Sequence, residues 1–347
     1  MTQDVADDTI PEPAHRRRPL YHHPEFGAFV AAVTMLAFFG FVARDAGFLA
    51  APGFAGWLTT AAELGIVAVP VAMLMIAGHF DLSIGSVLGM ASIIVALGTG
   101  YFKLPFPVAA ALAFLAAAAV GLANGALVNR TRLPSFIVTL ATNFIVFGVS
   151  LGLSRQLAGT STISITVEDV WHTVFAAKIG DFNIAIAWWA GMALLAGIVL
   201  ARTPFGSWVY ASGGSAESAR RAGVPTERVT RLLFAWTALG AALAGIIQAI
   251  EFNSGNAATG QGFVFQAPIV AVIGGVLLTG GYGSITGVVL GTMTYAIVSI
   301  GMFYTGWNTD WASAVIGALL VIAVLGNDVI RRLALTTPST DKREASK

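Results

Sequence analysis

The 347-residue sequence contains no cysteine, and Lys, Arg, Asp and Glu together make up only 11% of it. The missing thiols remove disulfide frameworks, thiolate metal sites and cysteine nucleophiles at once. A soluble domain carries about 25% charged residues. So sparse a charged set cannot coat a water-facing surface, which excludes a water-soluble globular domain. Net charge is +1 and no basic block exceeds three residues, so nucleic acid is not an expected partner. The sequence has no G-x-x-x-x-G-K-[ST] phosphate loop, no H-E-x-x-H, no G-x-S-x-G and no Ser/Lys arrangement. Its five histidines, His15, His22, His23, His79 and His172, are not spaced as a ligand pair on one helix. The expectation is a chain that is not itself an enzyme, with no catalytic residues, no metal and no cofactor of its own. The 39 glycines follow no G-X-Y period, which excludes collagen.

What is present is apolar. Hydrophobic residues make up 56% and the mean hydropathy is +0.78. A transmembrane helix needs roughly 20 mostly apolar residues, and about ten runs approach that length. They are 26–43, 57–77, 82–98, 106–128, 136–153, 184–201, 232–250, 268–279, 284–304 and 311–329. The expected fold is therefore an all-α polytopic membrane protein of about ten transmembrane helices. The run 268–279 is too short to span alone and the break at 78–81 is very tight. Backbone at membrane depth must be satisfied inside helices or against protein, so broken or re-entrant helices are expected at both places. The first run follows Arg16, Arg17 and Arg18, but it exceeds a signal-peptide core of about 7–15 residues and no small-x-small site follows it, so it reads as a retained helix.

Alternating ten spans from a cytoplasmic N-terminus leaves only Arg44, Lys103, Arg155 and Lys178 outside, with the rest of the 19 basic residues inside. That asymmetry supports the span count and places both termini in the cytoplasm. The expected organisation is one transmembrane domain at 25–332 between two disordered polar tails, 1–24 and 333–347. It carries a long cytoplasmic loop at 202–231 and an outer loop at 155–182, where the alternating Thr/Ile stretch 160–166 could form a short strand.

Two cytoplasmic segments are unusual for connectors. In Gly78-His79-Phe80-Asp81-Leu82-Ser83-Ile84-Gly85-Ser86, Asp81 and Ser83 occupy N-cap positions before an apolar helix. A capped tight turn is the simplest account of Asp81, and a locally hydrogen-bonded turn histidine that of His79. Within 202–231, residues 215–223 read as a short helix, with Ser215 as N-cap and Gly223 at C′ before Pro225. Such a helix, with Arg220, Arg221, Arg228 and Arg231, either lies on anionic lipid or docks into a cytoplasmic partner. Gly274, Gly275, Gly280, Gly281, Gly283, Gly287 and Gly291 read as close helix packing. Glu63, Asn124, Asn143, Gln248, Glu251 and Gln266 are polar within or at the ends of spans. Glu63, Asn143, Gln248 and Gln266 are candidates for a substrate path, although Glu63 and Glu251 lie near enough to the outer interface to reach water.

The stretch Ala77 to Ser86 resembles the G-G/E-x-D-L-S-V-G-S signature of permease subunits of ribose/xylose-type bacterial ABC importers. Three more stretches agree in order. Leu133-Pro134-Ser135-Phe136-Ile137-Val138-Thr139-Leu140 is similar to P-x-F-I-V-T-L. Thr203-Pro204-Phe205-Gly206 through Ala222-Gly223-Val224 is similar to T-x-F-G-R…A-A-x-x-x-G-I, and Ala271 to Ser284 is similar to A-x-x-G-G…G-G-x-G-S. There are departures: Ser207 replaces an Arg, Gly214-Ser215 a Gly-Asn pair, and His79-Phe80 the commoner Gly-Ile. The resemblance implies a vitamin-B12-permease-like (type II ABC importer) architecture. It also implies a pore formed by two copies of the chain, and a cytoplasmic ABC ATPase that carries the ATP and Mg2+. A periplasmic or lipoprotein binding protein would deliver a monosaccharide or polyol to the bacterial inner membrane. In that reading 202–231 holds a coupling helix, with Glu217, Ala219, Arg220, Arg221, Gly223, Val224 and Arg228 as the ATPase contact, and Asp81, Ser83, Gly85 and Ser86 form the signature turn. The competing readings are a permease for a nucleoside or branched-chain amino acid, and an ion-gradient-driven carrier. The carrier would need more intramembrane ionisable groups than these spans contain.

Overall fold

A computed structural model describes residues 25–336, with side chains described through residue 326. The polar tails 1–24 and 337–347, and with them the Arg16–Arg18 cluster, lie outside the described residues. Thirteen α-helices are joined by short connections. They are α1 (Glu25–Val42), α2 (Ala51–Ile76), α3 (Ile84–Ala96, continued by a π turn Leu97–Tyr101), α4 (Phe106–Thr131), α5 (Ser135–Ala158) and α6 (Asp169–Phe175). There follow α7 (Ala185–Arg202), α8 (Pro204–Gly214), α9 (Ala216–Arg221), α10 (Thr226–Glu251), α11 (Phe263–Ile273), α12 (Ile285–Thr305) and α13 (Trp311–Thr336). Two antiparallel ribbons complete the fold: β1 (Thr162–Ser164) with β4 (Ser254–Asn256), and β2 (Lys178–Ile179) with β3 (Phe182–Asn183).

Among the described residues, eight helices are long and apolar enough to cross a membrane: α1, α2, α3 with its π turn, α4, α5, α7, α10 and α12. The other two expected runs are the shorter apolar helix α11 and the apolar stretch Trp311–Gly326 of α13. The eighth run is corrected by the structure. Its helix begins five residues earlier than the apolar run, holds Pro268 inside, and stops at Ile273. Gly274, Gly275, Gly280, Gly281 and Gly283 then keep residues 274–284 irregular, the last four with positive φ. The long loop is also shorter than expected. Arg202 ends α7 and Thr226 already opens α10, so only 203–225 connects them, and α8 within it was not expected.

α2 and α10 form the centre and are buried along most of their length. α10 packs on α2, α3 and α4, α12 on α1, α2 and α11, and α7 on α2. Two ends follow from contacts. At one end Gly78 approaches Gly213 and Gly280, Phe80 meets Ser135, and Asn129 meets Glu227. At the other, β1 pairs β4 and Asn183 meets Glu251. The strand anticipated in 160–166 is β1. These are the groupings that alternating spans require.

Glycine sets the closest approaches. Residues 254–260 descend along α3, and a Cβ on Gly89 would overlap the Ala257 carbonyl oxygen, while one on Gly85 would stand 2.6 Å from that of Gly260. α12 lies on α11 in the same way, with Gly287 against Gly274 and Gly291 against Val270. That is the packing role expected of this pair.

Candidate functional site

The chain does not turn from α2 directly into α3. After Gly78 (φ +85°) residues 79–83 form an irregular, partly buried segment beside the first turns of α5. Outside a helix the N–H groups of Phe80 and Leu82 have no i−4 carbonyl to bond and need partners elsewhere. α5 supplies them. The Phe80 N–H donates to Ser135 Oγ (2.9 Å), Leu82 N–H to Thr139 Oγ1 (3.0 Å), and Ser86 N–H to Asn143 Oδ1 (3.2 Å). Ser135, Thr139 and Asn143 stand at i, i+4 and i+8 on one face of α5, so successive turns of that helix meet Phe80 and Leu82 before α3 and Ser86 in its first turn. Thr139 itself donates to Ser135 O (2.9 Å), which leaves its lone pairs free for Leu82.

Asp81 points the other way. It is 1% exposed, and no basic side chain lies within ion-pair distance of it among the described residues. Its Oδ1 accepts from Ser83 N–H (2.9 Å) and Ser83 Oγ (2.6 Å), and Oδ2 from Thr237 Oγ1 of α10 (2.6 Å). The Ser83 hydroxyl accepts in turn from Asn124 Nδ2 of α4 (2.9 Å), whose Oδ1 accepts from Thr142 Oγ1 of α5 (2.7 Å). One chain of donors thus runs from α5 through α4 and Ser83 to one carboxylate oxygen, and a separate donor on α10 meets the other. The capping expectation needs correcting here. Ser83 makes no side-chain cap bond to α3, and Asp81 closes an Asx turn onto Ser83. His79 is bonded across the bundle, not locally: its Nε2 lies 3.2 Å from Thr230 Oγ1 of α10, and burial holds its imidazole below the ordinary range.

Thr237→Val keeps the shape of the side chain and removes one donor from a buried carboxylate. The expected loss is about 1.5–3 kcal/mol, read as a lower thermal midpoint of the detergent-solubilised protein. An unchanged midpoint would mean that this bond contributes nothing net.

α8 and α9 stand at the same end. Pro204 forces an extended Thr203, whose hydroxyl receives the Gly206 N–H (3.4 Å) and starts α8. Ser215 separates the two helices and caps α9 through Ser218 N–H (3.3 Å). The far end closes as a Schellman motif, Gly223 N–H to Arg220 O and Val224 N–H to Ala219 O, both 3.0 Å, with Gly223 at φ +85°. Both caps are where the sequence placed them. Glu217, Arg220, Arg221, Gly223 and Arg228 are exposed, Val224 is half-buried, and Ala219 is buried, so Ala219 anchors α9 rather than facing outward. Arg221 and Glu217 form an exposed i, i+4 pair at 3.1 Å, which contributes little to stability.

The four path candidates do not converge. Glu63 and Gln248 pair near the opposite end, Gln248 Nε2 donating to Glu63 Oε2 (2.9 Å), with Glu251 held by Asn183 Nδ2 (2.8 Å). Gln248 Oε1 and Glu251 Oε2 are buried without a protein partner. Asn143 belongs to the Ser86 contact, and half-buried Gln266 stands apart on α11. The Ser135/Thr139 ladder, Thr142, Thr237 and α8 were not singled out from sequence. The readable signal was the i, i+4, i+8 spacing of Ser135, Thr139 and Asn143 in the first half of α5.

Residues 53–324 match the family described as branched-chain amino acid transport system / permease component. Among curated proteins, the chain is similar to the inner membrane ABC transporter permease protein YjfF of Escherichia coli (33% identical, covering 79% of this chain and 84% of that protein). It is also similar to the xylose transport system permease protein XylH of Haemophilus influenzae (26%, covering 85% and 93%). A third relative is the galactose/methyl galactoside import permease protein MglC of the same organism (29%, covering 82% and 88%). No solved structure matches the chain.

Proposed function

The chain belongs to this family of transport-system permease components, and from that premise we propose that it is the membrane-spanning subunit of an ATP-driven importer for a monosaccharide or polyol. The relatives named for xylose and for galactose support the substrate class. In this reading two copies of the chain form the pore in a bacterial inner membrane, with both termini in the cytoplasm. An ABC ATPase holding ATP and Mg2+ docks on α9, and a periplasmic or lipoprotein binding protein delivers the solute at the opposite end.

The observation that carries the reading is α9 with its flanks. It is a short helix capped at both ends, presenting Glu217, Arg220, Arg221 and Arg228 outward at the end where the broken start of α3 lies. A rigid, charged projection of this kind can transmit a push without unfolding. ATP binding would close the ATPase pair and carry the docked helices with it, and packed helices would then move as bodies to open the pore on the other side. This mechanism asks for a bistable bundle with small-residue contacts, and the glycine contacts along α3 and α12 are in keeping with it.

The first test is capture of the tagged, detergent-solubilised chain from its native host, with mass spectrometry of what accompanies it. A Walker-motif ATPase with a solute-binding protein is expected. The chain alone, at a stringency where known importers stay whole, would overturn the reading. A second test uses Arg220→Glu with Arg221→Glu, and separately Gly223→Pro, whose ring cannot adopt φ +85°. Both should abolish uptake and leave membrane insertion intact. Wild-type uptake in either would remove α9 from the docking role.

A further inference from the structure

The C-terminal half of α8 meets the bundle where both irregular helix starts converge. A Cβ on Gly213 would overlap the Ile76 carbonyl oxygen and lie 2.5 Å from Gly281 N. Gly281 N–H donates to that same Ile76 oxygen (2.8 Å), and a Cβ on Gly280 would stand 2.8 Å from Gly78 Cα. One turn earlier on α8, the Tyr210 hydroxyl donates to the Gly283 carbonyl (2.9 Å), immediately before Ser284 caps α12 through Gly287 N–H (3.0 Å). Thus α8 touches the end of α2, the Gly78 turn that leads into α3, and the segment that leads into α12.

We propose that α8 is the joint that moves the starts of α3 and α12 together, with Tyr210 as the positioning residue on the α12 side and Gly213 as the fulcrum on the α3 side. The inference rests on the reading of α9 as the ATPase-docking element, to which α8 is joined through the single residue Ser215. Three physical features carry it. The contacts at Gly213, Gly280 and Gly281 are backbone on backbone, so no side-chain rotamer can change to absorb a displacement of α8. Gly280 (φ +79°) and Gly281 (φ +76°) hold conformations that a side chain would strain, so the close approach depends on glycine twice over. Beyond the joint, the 80–86 segment is bound to α5 and α10 through side-chain hydrogen bonds, so movement reaches the interior of the bundle. α9 itself also meets α10. α10 leads to α3, whereas α8 touches the segments that lead into both α3 and α12, so in this inference it is through α8 that a push on α9 moves the two starts together.

The test uses the full complex of the chain with its ATPase and binding protein in proteoliposomes. It measures solute taken up, ATP hydrolysed per solute, and the thermal midpoint of the complex. Tyr210→Phe removes one hydroxyl and keeps the ring. It should assemble with an unchanged midpoint and raise the ATP hydrolysed per solute about fivefold, the effect of one lost hydrogen bond on the coupled state. Gly213→Ala should raise it further if it assembles. A wild-type ratio in Tyr210→Phe would overturn the joint while leaving the transport reading intact. A parallel fall of hydrolysis, uptake and midpoint at constant ratio would also overturn it, because that is the mark of packing alone. If the wild-type chain assembles with no ATPase or shows no ATP-dependent uptake, the transport reading fails first and this inference with it.

Discussion

Removing the two α5 hydroxyls that hold the irregular start of α3, by Ser135→Ala together with Thr139→Val, is expected to lower the thermal midpoint sharply and to abolish uptake. Each substitution strands one backbone N–H, Phe80 in one case and Leu82 in the other. A buried donor left without its acceptor costs about 1–3 kcal/mol, and both N–H groups lie in a partly buried segment. Neither replacement is unfavourable in itself. Thr139→Val conserves shape, and both remove a polar group from apolar surroundings, so any loss reports the stranded donors. The single variants should each show part of the loss and the pair more than either. Midpoints equal to the parent in all three would mean that the ladder is incidental and that the irregular segment finds other acceptors.

Gly89→Val is expected to prevent the bundle from closing, because α3 and the 254–260 segment approach too closely for any side chain there. A Cβ at Gly89 overlaps the Ala257 carbonyl oxygen, and the segment has no slack to retreat. Gly255 is set against Ser92, and Gly260 against Gly85 and Leu88. Overpacking in a filled core costs about 1–3 kcal/mol and more where backbone must shift, and here both sides of the contact are backbone. Gly148→Ala on α5 is the control, since a Cβ there meets nothing within 4 Å. It should be neutral or stabilise by about 0.5–1 kcal/mol, as expected for alanine replacing glycine in a helix. The measurement is the yield of monodisperse protein after detergent extraction, followed by the thermal midpoint. Parent-like behaviour of Gly89→Val would show that the 254–260 segment can leave α3 without harm.

Much of the site was written in local sequence. The caps of α9 needed only Ser215 and Gly223, because capping is decided within a few residues. The break after α2 was visible as Gly78 followed by polar residues inside an apolar stretch. The partners of Asp81 were not visible. Thr237 lies 156 residues away and Asn124 reaches the carboxylate only through Ser83. Nothing in the local pattern distinguishes a carboxylate that caps its own helix from one that closes a turn and binds another helix.

The sequence by itself determined that this protein belongs in a membrane, roughly how many times it crosses, which loops share an end, and where α9 starts and stops. Those properties follow from composition, the length of apolar runs, the placement of basic residues and short-range capping. Only the tertiary structure decided which helices are central, that α11 begins before Pro268 and stops at Ile273, and that α8 joins the two irregular starts. The physical reason is that lipid and protein interior are equally apolar. α2 and α10 at the centre are therefore about as hydrophobic as α1 and α7 at the rim. Inside such a bundle position is set by glycine contacts and hydrogen bonds between distant residues, and these exist only once the chain is folded.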